Sequence, residues 1–490
     1  MQKLYKTRKL VLFVFLILGF SIFPTAFVFA LHNPLHSYSD TLPPGSHEFY
    51  FDNGLRCVFI PNEKPRDHLE FGFIVNAGRR HEPPGKSGTS HLLGHILFKS
   101  LNEAIQIKLL RSRSTLWFDE YFEVDANHTL YKFSYRPTSA ISKVEILETL
   151  RDFLTPKDIS HEIFMSEHDL FSSEFKQLEG QYSMDFILKG KAHPGREYNQ
   201  VEHNYQLKEC FESISHEDIL QFLNEYYIPN NVTLVIVGDF KTEKNKIELQ
   251  IENLFSDLLF QQSDPIVLSP HFEEPNDPKL ICLENAGGLS SATFLLPVVY
   301  QDMNSRDQAV YSFQIFINWM NRYISTHPHI LSTHWAHIHF EFLPIDAGNG
   351  VVVIHFLSRS SSNLNLEDLA RVQSELKEIL SNEEPFEMYL FEYLKQMQEL
   401  ISSNFQLSSG QLLDLFYQSM KFDIPFETDL SRYERYDAVA EQINFRNYST
   451  KLTHLLDLDK CHIMFKLSEG MAFKDCQDML DTLRGLEVKD

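Results

Sequence analysis

His91-Leu92-Leu93-Gly94-His95 sets two imidazoles four residues apart. On a helix this spacing stacks the rings on one face, where each can offer a nitrogen lone pair to the same metal ion. The spacing alone is weak, because 22 histidines in 490 residues give about one such pair by chance. His32 and His36 form another, but they bracket Pro34, which cannot sit inside a regular helix. Glu167 and Glu174 lie seven residues apart, two helical turns, so their carboxylates also share a face. By themselves they read as the solvated side of a helix.

These side chains need a scaffold, and apolar periodicity outlines one. Strands are expected over 55–60, 69–75 and 129–135, with a helix over 87–99 to carry the histidine pair. Helical spacing follows over 142–153, over 161–188 where both glutamates fall, and over 215–227, before a buried strand at 231–239. The same order then returns, with strands at 280–283 and 291–296, a helix at 306–323, a strand at 351–357 and a helix at 366–380. Residues 461–466 stand where 233–237 stood. Residues 262–278, rich in Pro, Asp and Glu, read as a linker. The expectation is an α+β protein of two homologous domains, 45–261 and 279–485. Each would be a largely antiparallel sheet with helices packed on one face.

The surroundings of the histidine pair carry a more specific signal. Asn76-Ala77-Gly78-Arg79-Arg80-His81-Glu82-Pro83-Pro84-Gly85-Lys86-Ser87-Gly88-Thr89-Ser90, running into His91, closely resembles the glycine-rich approach to the zinc helix of insulinase/pitrilysin metallopeptidases. That helix carries His-x-x-Glu-His, the inverted zincin motif. Glu174, 79 residues beyond His95, and Glu167 match the family's distant glutamate pair. His193-Pro194 and the string from Tyr226 through Asn231-Val232-Thr233 to Phe240 resemble the end of the family's N-terminal domain. The resemblance implies Zn2+ held by His91, His95 and Glu174, with Glu167 orienting or backing up a ligand. It also implies a peptide or unfolded polypeptide as substrate, and a four-domain clamshell of which this chain is half. The other half would come from a homodimer or from a heterodimer with an active homologue; the mitochondrial processing peptidase is similar in pairing an active with an inactive subunit.

The chain departs from the family pattern at three places. Gly94 stands where the family has the glutamate that takes a proton from the metal-bound water, a relay worth roughly 10² to 10⁴ in rate. Folding alone gives no reason for this choice, since glycine is a poor helix former. Tyr121-Phe122 replaces an asparagine-alanine pair on the substrate-binding edge strand, and Pro328 and Trp335 fall where the family has an arginine and a tyrosine that grip the substrate. The expectation is a catalytically impaired pseudo-peptidase that binds peptide or serves a partner. One alternative is a slow or narrow-specificity zinc endopeptidase whose base is Glu82, Glu120 or Glu123, and another is a structural or metal-holding envelope protein. His327, His329, His334, His337 and His339 invite a second metal site, although their alternation suits a strand face.

Composition narrows the partners. A formal charge of −23 argues against nucleic acid, whose phosphates require a basic surface. It favours basic or neutral peptides, or serves only solubility. Lys3, Lys6, Arg8 and Lys9 precede an apolar run over 10–30 that ends Val28-Phe29-Ala30, the pattern of a secretory signal over 1–30. The run is also long enough to remain as an anchor, the one segment through which the chain would touch a membrane. Either reading exports the body, to the bacterial periplasm or tethered to the inner membrane, while the Asn231-Val232-Thr233 sequon also suits a eukaryotic secretory route. Five cysteines without CxxC spacing give no metal or redox motif, and an odd count leaves at least one thiol unpaired.

Overall fold

The computed structural model describes residues 42–100, 122–172, 211–258, 280–299, 306–421, 426 and 439–487, with short breaks inside these stretches. The apolar run at 10–30, the linker 262–278, Glu120, Glu174 and His193-Pro194 lie outside them.

The first sheet contains β1 (His47–Tyr50), β2 (Arg56–Pro61), β3 (Leu69–Val75), β4 (Phe122–Val124), β5 (Thr129–Tyr135) and β6 (Val232–Gly238), in the order β1-β2-β6-β3-β5-β4. β2 and β6 run parallel and every other neighbouring pair is antiparallel. β3 and β6 are buried along their whole length, which is why β6 reads as a nearly continuous apolar run and β3 as apolar apart from the buried Glu70. Helices α1 (Thr89–Lys99), α2 (Lys143–Leu154), α3 (His216–Tyr226) and α4 (Lys244–Phe255) belong to this half, and 161–172 is also helical. Ser142 with Glu145, and Ser215 with Asp218, form reciprocal caps that fix where α2 and α3 begin. The core under these helices is aromatic, built around Phe73, Phe98, Tyr131 and Phe153.

The second sheet repeats this plan with β7 (Leu280–Asn285), β8 (Ser291–Val299), β9 (Trp335–Pro344), β10 (Asn349–Ser358) and β11 (His462–Ser468), ordered β7-β11-β8-β10-β9. Its parallel pair, β7 with β11, corresponds to β2 with β6, and its edge strand β9 corresponds to β4. Helices α5 (Arg306–Thr326), α6 (Leu366–Ser381), α7 (Glu384–Ser402), α8 (Ser409–Lys421), α9 (Phe445–Leu455) and α10 (Phe473–Glu487) complete the described part. Its core centres on Phe313, Phe316, Trp319 and Phe340.

Helices are not confined to one face of the first sheet. α8, from the second half, covers the other face, setting Leu413, Phe416 and Tyr417 against Val58, Ile74, Leu130 and Val235. A side chain at position 72 would lie 2.6 Å from Leu413 Cδ1, so Gly72 permits this approach. The cysteines divide in a way that spacing could not reveal. Cys282 and Cys476 form a disulfide between β7 and α10, while Cys57 and Cys461 are buried in the cores.

Candidate metal centre

α1 starts on Gly88, whose φ of 104° is a left-handed conformation suited to glycine. Glycine offers no capping oxygen, and Glu82 supplies it from a distance. Its carboxylate accepts from the backbone N–H of Gly88 and of Ser90, both at 3.0 Å, and from the Ser90 hydroxyl at 2.5 Å. The first turn of the helix is thereby fixed, and His91 and His95 follow on one face with ring centroids 5.0 Å apart. Leu92, Leu93, Ile96 and Leu97 on the remaining faces are fully buried.

Two phenylalanines enclose the imidazoles. Phe171 stacks on His91 with centroids 4.7 Å apart and lies 5.3 Å from His95, while Phe122 meets both histidines edge-on at 5.3 Å. Burial, then the neighbouring His95 and Arg79, push the His91 pKa down to about 3, so its ring is neutral near pH 7. Imidazoles with helical i, i+4 spacing suit zinc in kind and in placement. Glu167 approaches from the helix at 161–172. It is 6% exposed, its Oε1 makes no hydrogen bond, and Lys99 Nζ lies 3.8 Å from it. Among the described residues no three His, Cys, Asp or Glu side chains are placed to hold a metal ion, so Glu167 does not complete the set. A third donor would have to come from elsewhere, and Glu174 lies outside the described residues.

Beside the pair, no acid fills position 94. A Cβ built on Gly94 would fall 2.7 Å from Phe122 Cδ2 and 2.9 Å from Cζ, with Cε2 nearer still. The edge of that ring occupies the room a side chain would need. Of the alternative bases, Glu82 is 3% exposed and committed to the helix start. Glu123 alternates to the opposite face of β4 from Phe122 and pairs with Lys421 Nζ at 3.0 Å.

The C-terminal histidines are dispersed. His329 pairs with Glu375 at 3.0 Å, His334 with Asp368 at 3.4 Å, and His337 and His339 sit ring to ring on β9 at 5.5 Å. None belongs to a three-ligand group, which removes the second metal site among the described residues. Trp335 is fully buried in the second core and Pro328 is exposed, so neither presents a substrate-gripping group.

Sequence reasoning missed a second polar centre, where α8 fastens to the first half. Asp125, directly after β4, accepts from Tyr417 Oη at 2.8 Å and from the backbone N–H groups of Asn127 and His128, with Lys421 Nζ 3.7 Å away. Burial alone would raise the Asp125 pKa; Lys421 and then His128 outweigh it and hold the carboxyl well below the usual range. The signal in sequence was one aspartate in a turn, indistinguishable from any other.

The family model for insulinase, peptidase family M16, matches residues 57–189, and that for the peptidase M16 inactive domain matches 213–397. The chloroplastic stromal processing peptidase of Pisum sativum is 24% identical over 219 residues, 43% of this chain and 16% of that protein. The probable zinc protease PqqL of Escherichia coli K12 is 20% identical over 213 residues, 41% of this chain and 22% of that one. The chain thus spans less than a quarter of either curated relative. The crystal structure of the first half of the periplasmic protease PqqL from Escherichia coli superposes with a TM-score of 0.65 at 14% identity, covering 91% of this chain and 97% of that one. With both models of the family matched in sequence order and its two-domain architecture present, the chain belongs to the insulinase family, peptidase family M16.

Proposed function

We propose that this chain is a zinc-binding pseudo-peptidase, a catalytically impaired member of its family that binds peptide or unfolded polypeptide or serves an active partner. The observation that carries this reading is the filling of position 94. Where the family places a proton acceptor, the chain has a glycine closed over by the Phe122 ring. His91 and His95 would hold the metal through ring nitrogens, with Glu174 as third ligand and Glu167 supporting one of them. Zinc bound there would supply Lewis-acid polarisation and a more acidic water. Of the alternative bases, Glu82 and Glu123 are held elsewhere, by the start of α1 and by Lys421.

The relatives' names support zinc, and the periplasmic placement of PqqL supports an exported protein. No helix among the described residues is long and apolar enough to cross a membrane. Matching 97% of half of PqqL, and 50% of the complete PqqL chain, supports a protein that supplies one half of a clamshell. The other half would be a second copy or an active homologue.

The test combines metal content with hydrolysis. Purified protein should carry zinc that His91→Ala loses, yet cleave an unfolded basic peptide no faster with zinc than with chelator. Rapid, chelator-sensitive cleavage by the native chain would overturn the reading.

A further inference from the structure

We infer that Gly94 and Phe122 form one interlocked unit, so that the missing base and the altered edge strand are a single change. A carboxylate can then return to position 94 only if position 122 is vacated. The inference rests on the pseudo-peptidase reading for its functional meaning, but the interlock itself is steric.

Three observations carry it. First, the contact is too close for any side chain. A bare Cβ at 94 already falls inside the van der Waals distance of three Phe122 ring carbons, and a glutamate would drive further atoms the same way. Second, the ring has nowhere to go. It stacks on Phe98 at 5.5 Å, leans on Tyr131 at 5.9 Å, meets both histidines at 5.3 Å and is 6% exposed. Third, its backbone is pinned. Phe122 registers against Tyr131 and Val124 against Thr129, while Glu123 and Asp125 on either side of Val124 are tied to Lys421 and Tyr417 of α8. Phe122 is therefore a positioning residue that fills the room of the absent base and holds the two imidazoles edge-on. Removing it opens space without supplying an acceptor, and adding an acid at 94 without removing it displaces α1.

Alanine normally stabilises an exposed helix interior relative to glycine, so the sign of its effect here is diagnostic. Thermal unfolding of the native chain, Gly94→Ala, Phe122→Ala and the double variant should give a strongly non-additive cycle. Gly94→Ala should lower Tm by several degrees in the native background and leave it unchanged or raise it once Phe122 is gone. Phe122→Leu keeps apolar bulk, withdraws the ring edge and serves in place of Phe122→Ala should that variant not fold. Zinc content is the second readout. Gly94→Glu alone should bind at least tenfold more weakly, and Gly94→Glu with Phe122→Ala should recover most of that loss. A Gly94→Ala variant at least as stable as the native chain, equal shifts in the two backgrounds, or full zinc affinity in Gly94→Glu alone would each overturn the interlock. Failure of the pseudo-peptidase reading is separate, since it would show as cleavage by the native chain.

Discussion

In each half of the molecule the first helix meets the edge strand of its own sheet, and the two halves make that contact differently. In the second half Asn321 of α5 donates to the Phe340 carbonyl and accepts from the Phe340 N–H, both at 2.8 Å, so a side-chain amide does for β9 what a neighbouring strand would. The surrounding core is apolar, with Phe313, Phe316, Trp319 and Met320 all buried. In the first half α1 is 11 residues against 21 in α5, β4 is three residues against ten in β9, and the contact is a phenylalanine ring on a glycine. The copy that carries the histidine pair is the one whose helix meets its edge strand through a glycine and a phenylalanine. The place where that copy meets its edge strand is also where the family's proton acceptor is missing.

The largest effect should come from the fastening of α8 to the first half. Asp125→Ala removes the acceptor of Tyr417, leaves Lys421 beside one fewer anion, and should cost about 3 kcal/mol or more in denaturant unfolding. Because the folded Asp125 pKa lies below its unfolded value, the stability it gives is present above about pH 4 and lost as pH falls toward that lower value. Unfolding curves between pH 5 and pH 2 should therefore be flatter for Asp125→Asn than for the native chain, and identical slopes would remove the fastening. A smaller effect is expected in the other half. Asn321→Ala strands the N–H and carbonyl of Phe340, a residue with no exposed surface, and should cost roughly 1 to 3 kcal/mol with no change in zinc content. A loss of zinc in that variant would contradict the independence of the two contacts.

Much of the scaffold was legible in the sequence, because the central strands β3 and β6 are buried along their whole length and are rich in apolar residues. β3 and β5 fall on the expected residues, and α1 begins two residues later than expected, where Glu82 caps it. What remained hidden is local in space and remote in sequence. β4 is too short for periodicity to register, and α8 packs on a sheet some 150 or more residues away from it in the chain. The histidine pair and Gly94 could be read from spacing and family likeness. Phe122 could be noticed only as a departure on the edge strand, since nothing in a one-dimensional pattern says that its ring rests on Gly94. Phe171 carried no signal at all, being one aromatic residue among 41 phenylalanines.

The central claim is a metal pair with no proton acceptor beside it, and the most direct test is anomalous diffraction at the zinc absorption edge on crystals of the native protein. The account predicts one peak within bonding distance of His91 and His95, a third ligand from Glu174, and the Phe122 ring lying over Gly94. Absence of a peak at the histidines, or a carboxylate other than the ligands within hydrogen-bond reach of the metal-bound water, would contradict it.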